Sequence, residues 1–308
     1  MKILVSGGAG FIGSNTVKLL AKRGHDVLVI DNFSTGRSEN LKSFKGKVVI
    51  ADITDYKSVD AAFYEFGPDA VLHLAAQSAI TTSINDPQKD LEINGMGTVN
   101  MLRAAQAFET KRFVFSSTSA VYRETSPLFG GVSEKWPCAP TSPYGISKLT
   151  CEHYIRLMHP NHMILRYGNV YGRHQRPVGQ NQVIARALSH FIHGDDFFVT
   201  GSGKQKRDFV NVEDVAYANL LALTSEVTGT FNVATGKNHS VNEVLAILER
   251  LYDVVGYEWE HTNSPDPRGD VALDVSAIRR ELGWKAVVSL EAGLKDTAKW
   301  WNNEEAKR

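Results

Sequence analysis

Residues 3–13 read Ile3-Leu4-Val5-Ser6-Gly7-Gly8-Ala9-Gly10-Phe11-Ile12-Gly13, a short apolar run that passes directly into a glycine-rich loop. Glycines permit a tight turn and a close approach of the backbone to a pyrophosphate. The helix predicted from Phe11 onward directs free N–H groups and its positive dipole end at that phosphate. Because the loop follows a strand and opens a helix, it predicts a dinucleotide site held by Gly7, Gly10, Phe11, Ile12 and Gly13.

Short apolar runs between amphipathic segments continue through the chain. Continuous apolar runs are typical of parallel strands buried on both faces, and their alternation with helices indicates βαβ units. Because such crossovers are right-handed, the sequence predicts an α/β fold with a doubly wound parallel sheet of the Rossmann type. The predicted strands are residues 3–5, 27–30, 48–50, 70–75, 113–115, 163–167 and 231–233. The predicted helices are residues 11–23, 57–66, 87–108, 144–157, 182–193, 241–251 and 290–301.

A change of pattern near residue 123 predicts a second, smaller domain. Prolines and glycines over residues 123–143 indicate a loop, and residues 172–203 are irregular apart from one helix. We expect the ligand in a cleft between the two domains. The expected NAD-binding Rossmann domain comprises residues 1–166 and 208–236, and the expected smaller, partly interleaved α/β substrate domain comprises residues 167–207 and 237–308.

Composition and charge exclude several classes of function. The 308 residues include 34 Lys plus Arg and 34 Asp plus Glu, so the net charge of zero gives no sign of a nucleic-acid surface. No run of about 18 apolar residues exists, so no membrane span is expected. Cys138 and Cys151 lack metal-site spacing and cannot form a disulfide framework, and no signal peptide is recognisable. We therefore expect a cytoplasmic protein with no metal site, no membrane contact and no nucleic-acid partner.

Two acidic residues end predicted strands beside the glycine loop. Asp31 ends the second strand, 18 residues after Gly13. A carboxylate there can accept both adenosine ribose hydroxyls and repels a 2′-phosphate, which favours NAD over NADP, although Arg37 nearby weakens that inference. The segment Asp31-Asn32-Phe33-Ser34-Thr35-Gly36 also fits a plain polar turn. Asp52, at the end of the third strand, fits either a contact with adenine or an acid in the first turn of a helix.

Tyr144 and Lys148 stand at positions i and i+4 of a predicted helix, so the phenol and the ammonium share one face. A free tyrosine has a pKa of about 10, and a lysine together with an oxidised nicotinamide ring would stabilise its phenolate. The pair is a candidate base for neutral pH, and an ordinary exposed pair is the alternative. Ser116, Ser117 and Thr118 end the fifth strand at the ligand edge of the sheet, where Thr118 could hydrogen-bond a substrate oxygen or merely end the strand.

These motifs together resemble the extended short-chain dehydrogenase/reductases, the NAD-dependent epimerase/dehydratase family, over nearly the whole chain. Within that family the sequence is most similar to the UDP-glucose 4-epimerases, especially through Asp31-Asn32-Phe33-Ser34. The matching elements, besides the glycine loop, are His73-Leu74-Ala75-Ala76-Gln77, Asn94 with Gly97-Thr98, Ser116-Ser117-Thr118, Tyr144 with Lys148, Arg166-Tyr167-Gly168-Asn169-Val170-Tyr171-Gly172 and Arg207-Asp208-Phe209-Val210.

The resemblance implies a role for each matching residue. Forked guanidiniums match phosphates well, which suits two arginines to a diphosphate, although surface arginines are the alternative. The implied NAD contacts are Gly7, Gly10, Phe11, Ile12, Gly13, Asp31, Asn32, Phe33, Ser34, Thr35, Gly36, Asp52, Ile53, Leu74, Ala75, Ala76, Gln77, Asn94, Ser116, Tyr144, Lys148 and Gly168. The implied catalytic residues are Thr118, Tyr144 and Lys148. The implied contacts with a UDP-sugar or related nucleotide sugar are Thr118, Asn169, Gln182, Phe198, Val199, Arg207 and Arg268.

The sequence departs from the family pattern at two positions. Tyr122 is followed by Arg123 where the family often has glycine, which is expected to change the loop above the sugar. Gly168 replaces a larger residue common in the epimerases and is expected to enlarge or loosen the space beside the nicotinamide. Members of the family commonly pair through the helices that correspond to residues 87–108 and 144–157, so the resemblance also implies a homodimer.

The activity implied by the resemblance is that of a nucleotide-sugar 4-epimerase of the UDP-glucose/UDP-galactose type. Tyr144, as phenolate, would take the proton of the sugar 4-hydroxyl while the C4 hydride passes to NAD, and the 4-keto sugar would turn before it is reduced on its other face. A 4,6-dehydratase of the family carries Asp-Glu after the strand threonine, whereas Thr118 is followed by Ser119 and Ala120. An NADPH-dependent reductase is disfavoured by Asp31, and a non-catalytic dinucleotide sensor by the intact tyrosine–lysine pair.

Overall fold

The chain folds as alternating strands and helices. The strands are β1 (Lys2–Ser6), β2 (Asp26–Asp31), β3 (Lys47–Ile50), β4 (Ala70–His73), β5 (Arg112–Thr118), β6 (His162–Tyr167), β7 (Asn169–Tyr171), β8 (Val199–Thr200), β9 (Lys206–Arg207), β10 (Phe209–Asn211), β11 (Gly229–Val233), β12 (His239–Ser240) and β13 (His261–Thr262). The helices are α1 (Phe11–Lys22), α2 (Tyr56–Phe66), α3 (Ile80–Asn85), α4 (Pro87–Leu91), α5 (Gly97–Ala107), α6 (Pro143–Met158), α7 (Val183–His193), α8 (Val212–Thr224), α9 (Val241–Leu251), α10 (Ser276–Leu282) and α11 (Leu290–Glu305). This computed structural model describes residues 1–122, 131–177, 182–254, 257, 259–262, 270 and 272–305.

Seven strands of the described chain form one parallel sheet in the order β11-β6-β5-β4-β1-β2-β3. Each neighbouring pair runs parallel. The order reverses between β1 and β4, so the sheet is doubly wound and its switch point lies where these two strands end side by side. The predicted doubly wound α/β sheet is therefore confirmed, and ligands of such sheets bind at this edge.

The central strands are buried on both faces, as predicted, because helices cover both sides of the sheet. Helices α1 and α8 pack on one face and helices α2, α5 and α6 on the other. The edge strand β3 differs. Val49 packs into the core on the α2 side, whereas Val48 and Ile50 point to the opposite face, and Ile50 is 78% exposed. The expectation that this run is buried on both faces is wrong, because the face of β3 that carries Val48 and Ile50 is open to solvent at the edge of the sheet.

The helix predicted over residues 87–108 is helical but not uniform. It consists of α4, a π-helical turn over Glu92–Met96, and α5. A π turn inserts an extra residue into the helical repeat and is frequent at functional sites. Here it carries Asn94, whose side chain is buried.

Three helices, α3, α8 and α10, were absent from the sequence prediction. Helix α8 begins at an N-cap, the side chain of Asn211, which accepts a hydrogen bond from Glu213 N at 2.9 Å. It packs against both the sheet and α1, so most of its surface is apolar. A helix buried on most sides lacks the broad polar face by which an amphipathic helix is recognised.

The later part of the chain builds a second apolar cluster beside the sheet. Helices α7, α9 and α11 pack with β8 around residues such as Leu188, Val199, Leu245 and Leu294. The short strands here pair two by two: β7 with β10, β9 with β12 and β8 with β13. We call this part the cap. No helix within the described residues is long and apolar enough to cross a membrane.

Candidate active site

The glycine loop packs tightly against the end of β4. Gly7 has a φ of +71°, and a Cβ on it would lie 2.6 Å from the backbone nitrogen of Ala75. A Cβ on Gly13 would collide with the carbonyl oxygen of Gly7. Gly10 caps α1 with extended backbone and without a side chain. The first N–H groups of α1 therefore face the switch point of the sheet, which suits the predicted pyrophosphate site.

Asp31 lies at the end of β2, directly beside this loop. Its two carboxylate oxygens accept hydrogen bonds from Ala9 N at 2.9 Å and Phe33 N at 2.8 Å. Burial raises the pKa of Asp31, although the hydrogen bonds from Phe33 and Ala9 oppose that shift. A Cβ on Gly36 would lie 2.7 Å from Asp31 Oδ1, so the loop wraps closely around the carboxylate. Each carboxylate oxygen can accept a second hydrogen bond, which leaves capacity for two ribose hydroxyls.

Asp52 is linked to the same loop and is not a helix cap. Its oxygens accept hydrogen bonds from Asn32 Nδ2 at 2.7 Å and Thr54 N at 2.8 Å. Burial alone would raise the pKa of Asp52, but the hydrogen bonds from Thr54 and Asn32 outweigh burial and lower it. The N-cap of α2 is Asp55, so the helix-cap alternative applies to that residue. The side chain of Ile53 packs into the core and leaves only its backbone for a ligand.

The loop after β4 is fastened to the π-helical turn. Gln77 N donates to Asn94 Oδ1 at 2.9 Å, and Asn94 Nδ2 donates to the carbonyl oxygen of Gln77 at 3.0 Å. The start of the loop is held by Leu74 N, which donates to the carbonyl oxygen of Ser6 at 3.1 Å. The structure thus brings the predicted residues 74–77 and Asn94 together beside the glycine loop.

Thr118 and Tyr144 meet at the carboxyl edge of the sheet. Thr118 ends β5, and Tyr144 is the second residue of α6, whose N-cap Ser142 accepts a hydrogen bond from Gly145 N at 3.2 Å. A Cβ on Gly145 would lie 2.5 Å from the carbonyl oxygen of Ala120. The glycine therefore allows α6 to begin close enough to β5 for the Thr118 hydroxyl to hydrogen-bond the Tyr144 phenol.

The side chain of Lys148 lies one helical turn further on. Its Nζ sits 4.3 Å from the centre of the Phe115 ring, a cation–π contact, and the residue is buried. Burial lowers the pKa of Lys148 to about 8. Burial also raises the pKa of Tyr144 to about 12, against the hydrogen bond from Thr118. The sequence predicted a lowered pKa for Tyr144. The chain's own groups raise it instead, because burial disfavours the phenolate.

Two further predicted cofactor residues are closely packed. Ser116 Oγ donates to the carbonyl oxygen of His73 at 3.2 Å, so its side chain points along the sheet. Gly168 follows β6, and a Cβ on it would lie 2.9 Å from the carbonyl oxygen of Asp208 and 3.2 Å from Ala234 Cβ. The expectation that Gly168 enlarges the space beside the nicotinamide is wrong on the side where a Cβ would stand, because Asp208 and Ala234 already occupy that side.

The predicted substrate residues are distributed over the cap. Asn169 N donates to the carbonyl oxygen of Asp208 at 2.8 Å, which aligns β7 with β10. Arg207 is 5% exposed, and its Nη1 donates to the carbonyl oxygen of Lys206 at 2.7 Å. Phe198 is exposed at the surface, whereas the side chain of Val199 is buried in the cap core and cannot contact a ligand.

Gln182 carries a buried side-chain oxygen that is available to a ligand. It occupies the N-cap position of α7, and its buried Oε1 finds no hydrogen-bond donor among the described residues. A buried polar atom of this kind normally has a partner, which a nucleotide could supply. Arg268 and Arg123 lie outside the described residues.

The sequence prediction missed two polar residues next to the candidate catalytic residues Tyr144 and Lys148. Asp90 and Ser147 are buried and joined by a hydrogen bond of 2.6 Å. Asp90 stands four residues before Asn94, and Ser147 stands between Tyr144 and Lys148. The signal in the sequence was their helical spacing: Asp90 precedes Asn94 by one turn, and Ser147 follows Tyr144 by one turn.

The comparisons with known proteins agree with this geometry. Residues 3–234 match the family model described as the NAD dependent epimerase/dehydratase family. The chain is 38% identical to a putative UDP-glucose 4-epimerase of Methanocaldococcus jannaschii over 98% of both chains. It superposes with a TM-score of 0.93 on the UDP-glucose 4-epimerase of Thermotoga maritima with UDP-glucose, at 34% identity, covering 99% of this chain and 100% of that one. The UDP-glucose 4-epimerase of Thermus thermophilus in complex with NAD gives 0.89 at 35% identity, covering 98% and 99%. With its dinucleotide loop, Asp31 and the Thr118–Tyr144–Lys148 cluster on a doubly wound sheet, this chain belongs to the NAD dependent epimerase/dehydratase family.

Proposed function

We propose that the chain is a nucleotide-sugar 4-epimerase of the UDP-glucose/UDP-galactose type. The observation that carries the proposal is the grouping of the Thr118 hydroxyl, the Tyr144 phenol and buried Lys148 at the sheet edge where the glycine loop ends. A hydroxyl, a phenol and an ammonium suit removal and return of one proton from a sugar hydroxyl. The similarity to the named epimerases adds support.

The described residues fit NAD at this edge. The N–H groups at the start of α1 suit the pyrophosphate, and the free acceptor capacity of Asp31 suits the adenosine ribose. The closely packed loop of residues 74–77 and Asn94 would flank the dinucleotide. When bound, NAD would supply reversible hydride chemistry at C4 of the sugar.

The acid–base work falls to Tyr144. Its phenolate oxygen takes the proton of the sugar 4-hydroxyl as C4 is oxidised, and the resulting phenol gives that proton back as the 4-keto sugar is reduced. The hydrogen bond from Thr118 stabilises the phenolate, and the charge of Lys148 is one turn away on the same helix. Burial is the largest cause that holds the pKa of Tyr144 near 12, so ionisation at neutral pH needs further stabilisation. We infer that the positive charge of an oxidised nicotinamide would supply it.

The cap would anchor the nucleotide while the sugar turns. Arg207, and Arg268 as a sequence-based expectation, suit the diphosphate, and Gln182 offers an unpartnered carbonyl oxygen. We also propose the division into a Rossmann domain (1–166 and 208–236) and a substrate domain (167–207 and 237–308).

The dehydratase alternative finds no support at the decisive positions. Ser119–Val121 form a 3-10 turn directly after Thr118, and Ala120 N donates to Thr118 Oγ1 at 3.2 Å. Elimination of water from a keto sugar needs acid and base groups there. Serine and alanine side chains supply no carboxyl for it.

We also propose that the chain is a cytoplasmic homodimer. Large apolar side chains are exposed along two helical segments that pack against each other, α4 with its π turn and α6: Leu91, Met96, Ile146 and Tyr154. Exposed apolar patches of this kind mark protein interfaces. Both cysteines are free thiols, which suits a reducing compartment.

The test is incubation of the purified chain with UDP-glucose, followed by chromatography for UDP-galactose. We expect conversion in both directions without added reductant, and none with Tyr144→Phe. If UDP-glucose and a panel of other UDP-, dTDP- and GDP-hexoses are all returned unchanged, the proposal is overturned.

A further inference from the structure

A buried carboxylate joins three parts of the candidate site. Asp90, on α4, is 1% exposed. Its oxygens accept hydrogen bonds from Ser147 Oγ at 2.6 Å, Gln77 Nε2 at 2.7 Å and Asn94 Nδ2 at 3.1 Å. The loop after β4, the π-helical turn and the catalytic helix α6 therefore meet at a single side chain.

The network is closed by bonds among its other members. Asn94 Nδ2 also lies 3.0 Å from Ser147 Oγ, and Gln77 exchanges two backbone hydrogen bonds with the Asn94 side chain. The Gln77 carbonyl oxygen Oε1 accepts from Ala79 N at 2.5 Å, which leaves its NH₂ group for Asp90. A fully connected polar network in a buried place fixes the geometry of every element that contributes to it.

The groups around Asp90 are hydrogen-bond donors. Each neighbour presents an O–H or N–H group to it, and an ionised carboxylate is an acceptor only. A protonated acid would place its own hydrogen against one of these donors. Hydrogen bonds to a charged acceptor are also the stronger kind, which suits a hub of this type.

The charge of Asp90 reaches the catalytic pair. Burial is the main influence on both partners, and the negative charge of Asp90 acts in addition, raising the pKa of Tyr144 and also that of Lys148. Cys151, on α6, faces both members of the pair, whereas Glu152 on α6 and His73 on β4 face Lys148. These are the charged and titratable groups to weigh against Asp90.

The charge of Glu152 is balanced by arginines and His73 carries no charge, whereas Asp90 has no charged hydrogen-bond partner among the described residues. Glu152 forms ion pairs with Arg166 at 2.6 Å and Arg156 at 2.7 Å. Burial lowers the pKa of His73 to about 3, so it is neutral at physiological pH. Asp90 is held by amide and hydroxyl groups, which are uncharged, so its charge acts on the pair with less compensation.

We propose that Asp90 is a positioning residue of the reaction: through Ser147 it fixes α6 against the loop that flanks NAD, and it places a negative charge against the turn of α6 that carries Tyr144 and Lys148. The kinetic part of this inference rests on the proposed epimerase function. The titration of Tyr144 does not, because it can be followed in the NAD-loaded protein without a sugar.

The first experiment separates the charge from the fold. Phenolate absorbance is titrated in the NAD-loaded chain and in Asp90→Asn, each as the difference from the matching chain that also carries Tyr144→Phe. The Asp90→Asn titration is expected to move to lower pH. Asp86→Asn, at the exposed start of the same helix, removes an equal charge and is expected to titrate like the parent chain. Coincident titrations of the Asp90 and Asp86 variants would overturn the electrostatic role.

The second experiment tests positioning with the charge retained. Ser147→Ala removes the hydroxyl that links Asp90 to α6. We expect a loss of roughly tenfold or more in kcat on its pH plateau, an almost unchanged KM and no shift of the Tyr144 titration. An unchanged kcat would overturn the positioning role, and this variant decides it even if Asp90→Asn does not fold. If the parent chain epimerises no nucleotide sugar, only the proposed function is overturned. The titration of Tyr144 still tests the role of Asp90, because it needs no sugar.

Discussion

The dinucleotide side of the molecule and the cap are built in different ways. Around the glycine loop, backbone groups and short buried hydrogen bonds do the positioning: Asp31 is held by Ala9 N and Phe33 N, and Gly13 leaves no space for a side chain. In the cap, two-residue strands pair β9 with β12 and β8 with β13, and the proposed ligand contacts are long side chains such as Arg207. The first arrangement is rigid and local, and the second depends on residues far apart in sequence.

That difference suits the proposed reaction. A cofactor that is oxidised and reduced in each cycle without leaving benefits from a preorganised backbone site. A sugar that must present both faces to the same hydride needs firm contacts at its diphosphate and few at its ring. Changes on the two sides should therefore have separable effects: one on cofactor retention, the other on the KM for the nucleotide sugar.

The largest expected effect is at the junction of the two sides. Tyr144→Phe removes the proposed proton acceptor but keeps the ring, so kcat should fall by roughly a thousandfold while NAD stays bound. Epimerisation rates and the NAD content of the purified protein check this. Tyr217→Phe, on the exposed face of α8, is the matched control and should behave like the parent chain. A Tyr144→Phe chain that keeps more than about a tenth of the activity would assign the base to another residue.

On the dinucleotide side, Gly13→Ala should abolish stable NAD retention. Its Cβ would collide with the carbonyl oxygen of Gly7 and push α1 away from the loop. We expect NAD affinity to fall by roughly a hundredfold, with a lower melting temperature. Gly24→Ala is the control: its Cβ would meet no atom within 4 Å, but its φ is +80°. It should cost about 1 kcal/mol of stability and leave the NAD content unchanged. Equal NAD loss in both variants would mean that destabilisation alone explains the effect.

The two sides also differ in how well the sequence predicts them. The glycine loop, Asp31 and the Tyr144–Lys148 spacing are local patterns, and the structure places Tyr144 beside Thr118 and Asp31 beside Ala9. Local patterns suffice because the backbone of one segment builds most of each feature. The exposure of Ile50 was mispredicted because burial of a strand depends on its place in the sheet.

Features assembled from distant segments escaped the sequence. Asp90 meets Gln77 and Ser147 only after three elements pack, so no short motif displays the network. Gly168 faces Asp208, 40 positions away in sequence. This contact decides whether the glycine leaves free space, and the sequence around Gly168 does not show it. The direction in which burial shifts the pKa of Tyr144 depends on the same packing, and residue spacing carries no information about it.

On the cap side, Arg207→Ala should raise the KM for the nucleotide sugar by roughly tenfold or more, because a charge-assisted contact with phosphate is lost. NAD content should not change, since Arg207 lies on β9 in the cap. Arg280→Ala, on the exposed surface of α10, is the control and should leave KM alone. Loss of NAD from Arg207→Ala would show that the two sides are not separable.

The smallest effect concerns pH and sharpens the role of Lys148, whose pKa burial lowers to about 8. In the proposed mechanism the charged form of Lys148 supports the Tyr144 phenolate, and this form is present below that pKa and lost above it. Activity should therefore fall about twofold between pH 7 and pH 8 and roughly tenfold by pH 9. Lys148→Arg keeps the positive charge throughout this range because a guanidinium does not deprotonate there, so its lower activity should show no such decline. The measurement is the profile of kcat against pH for the two chains. A parallel decline in both would show that a group other than Lys148 causes the loss of activity at high pH.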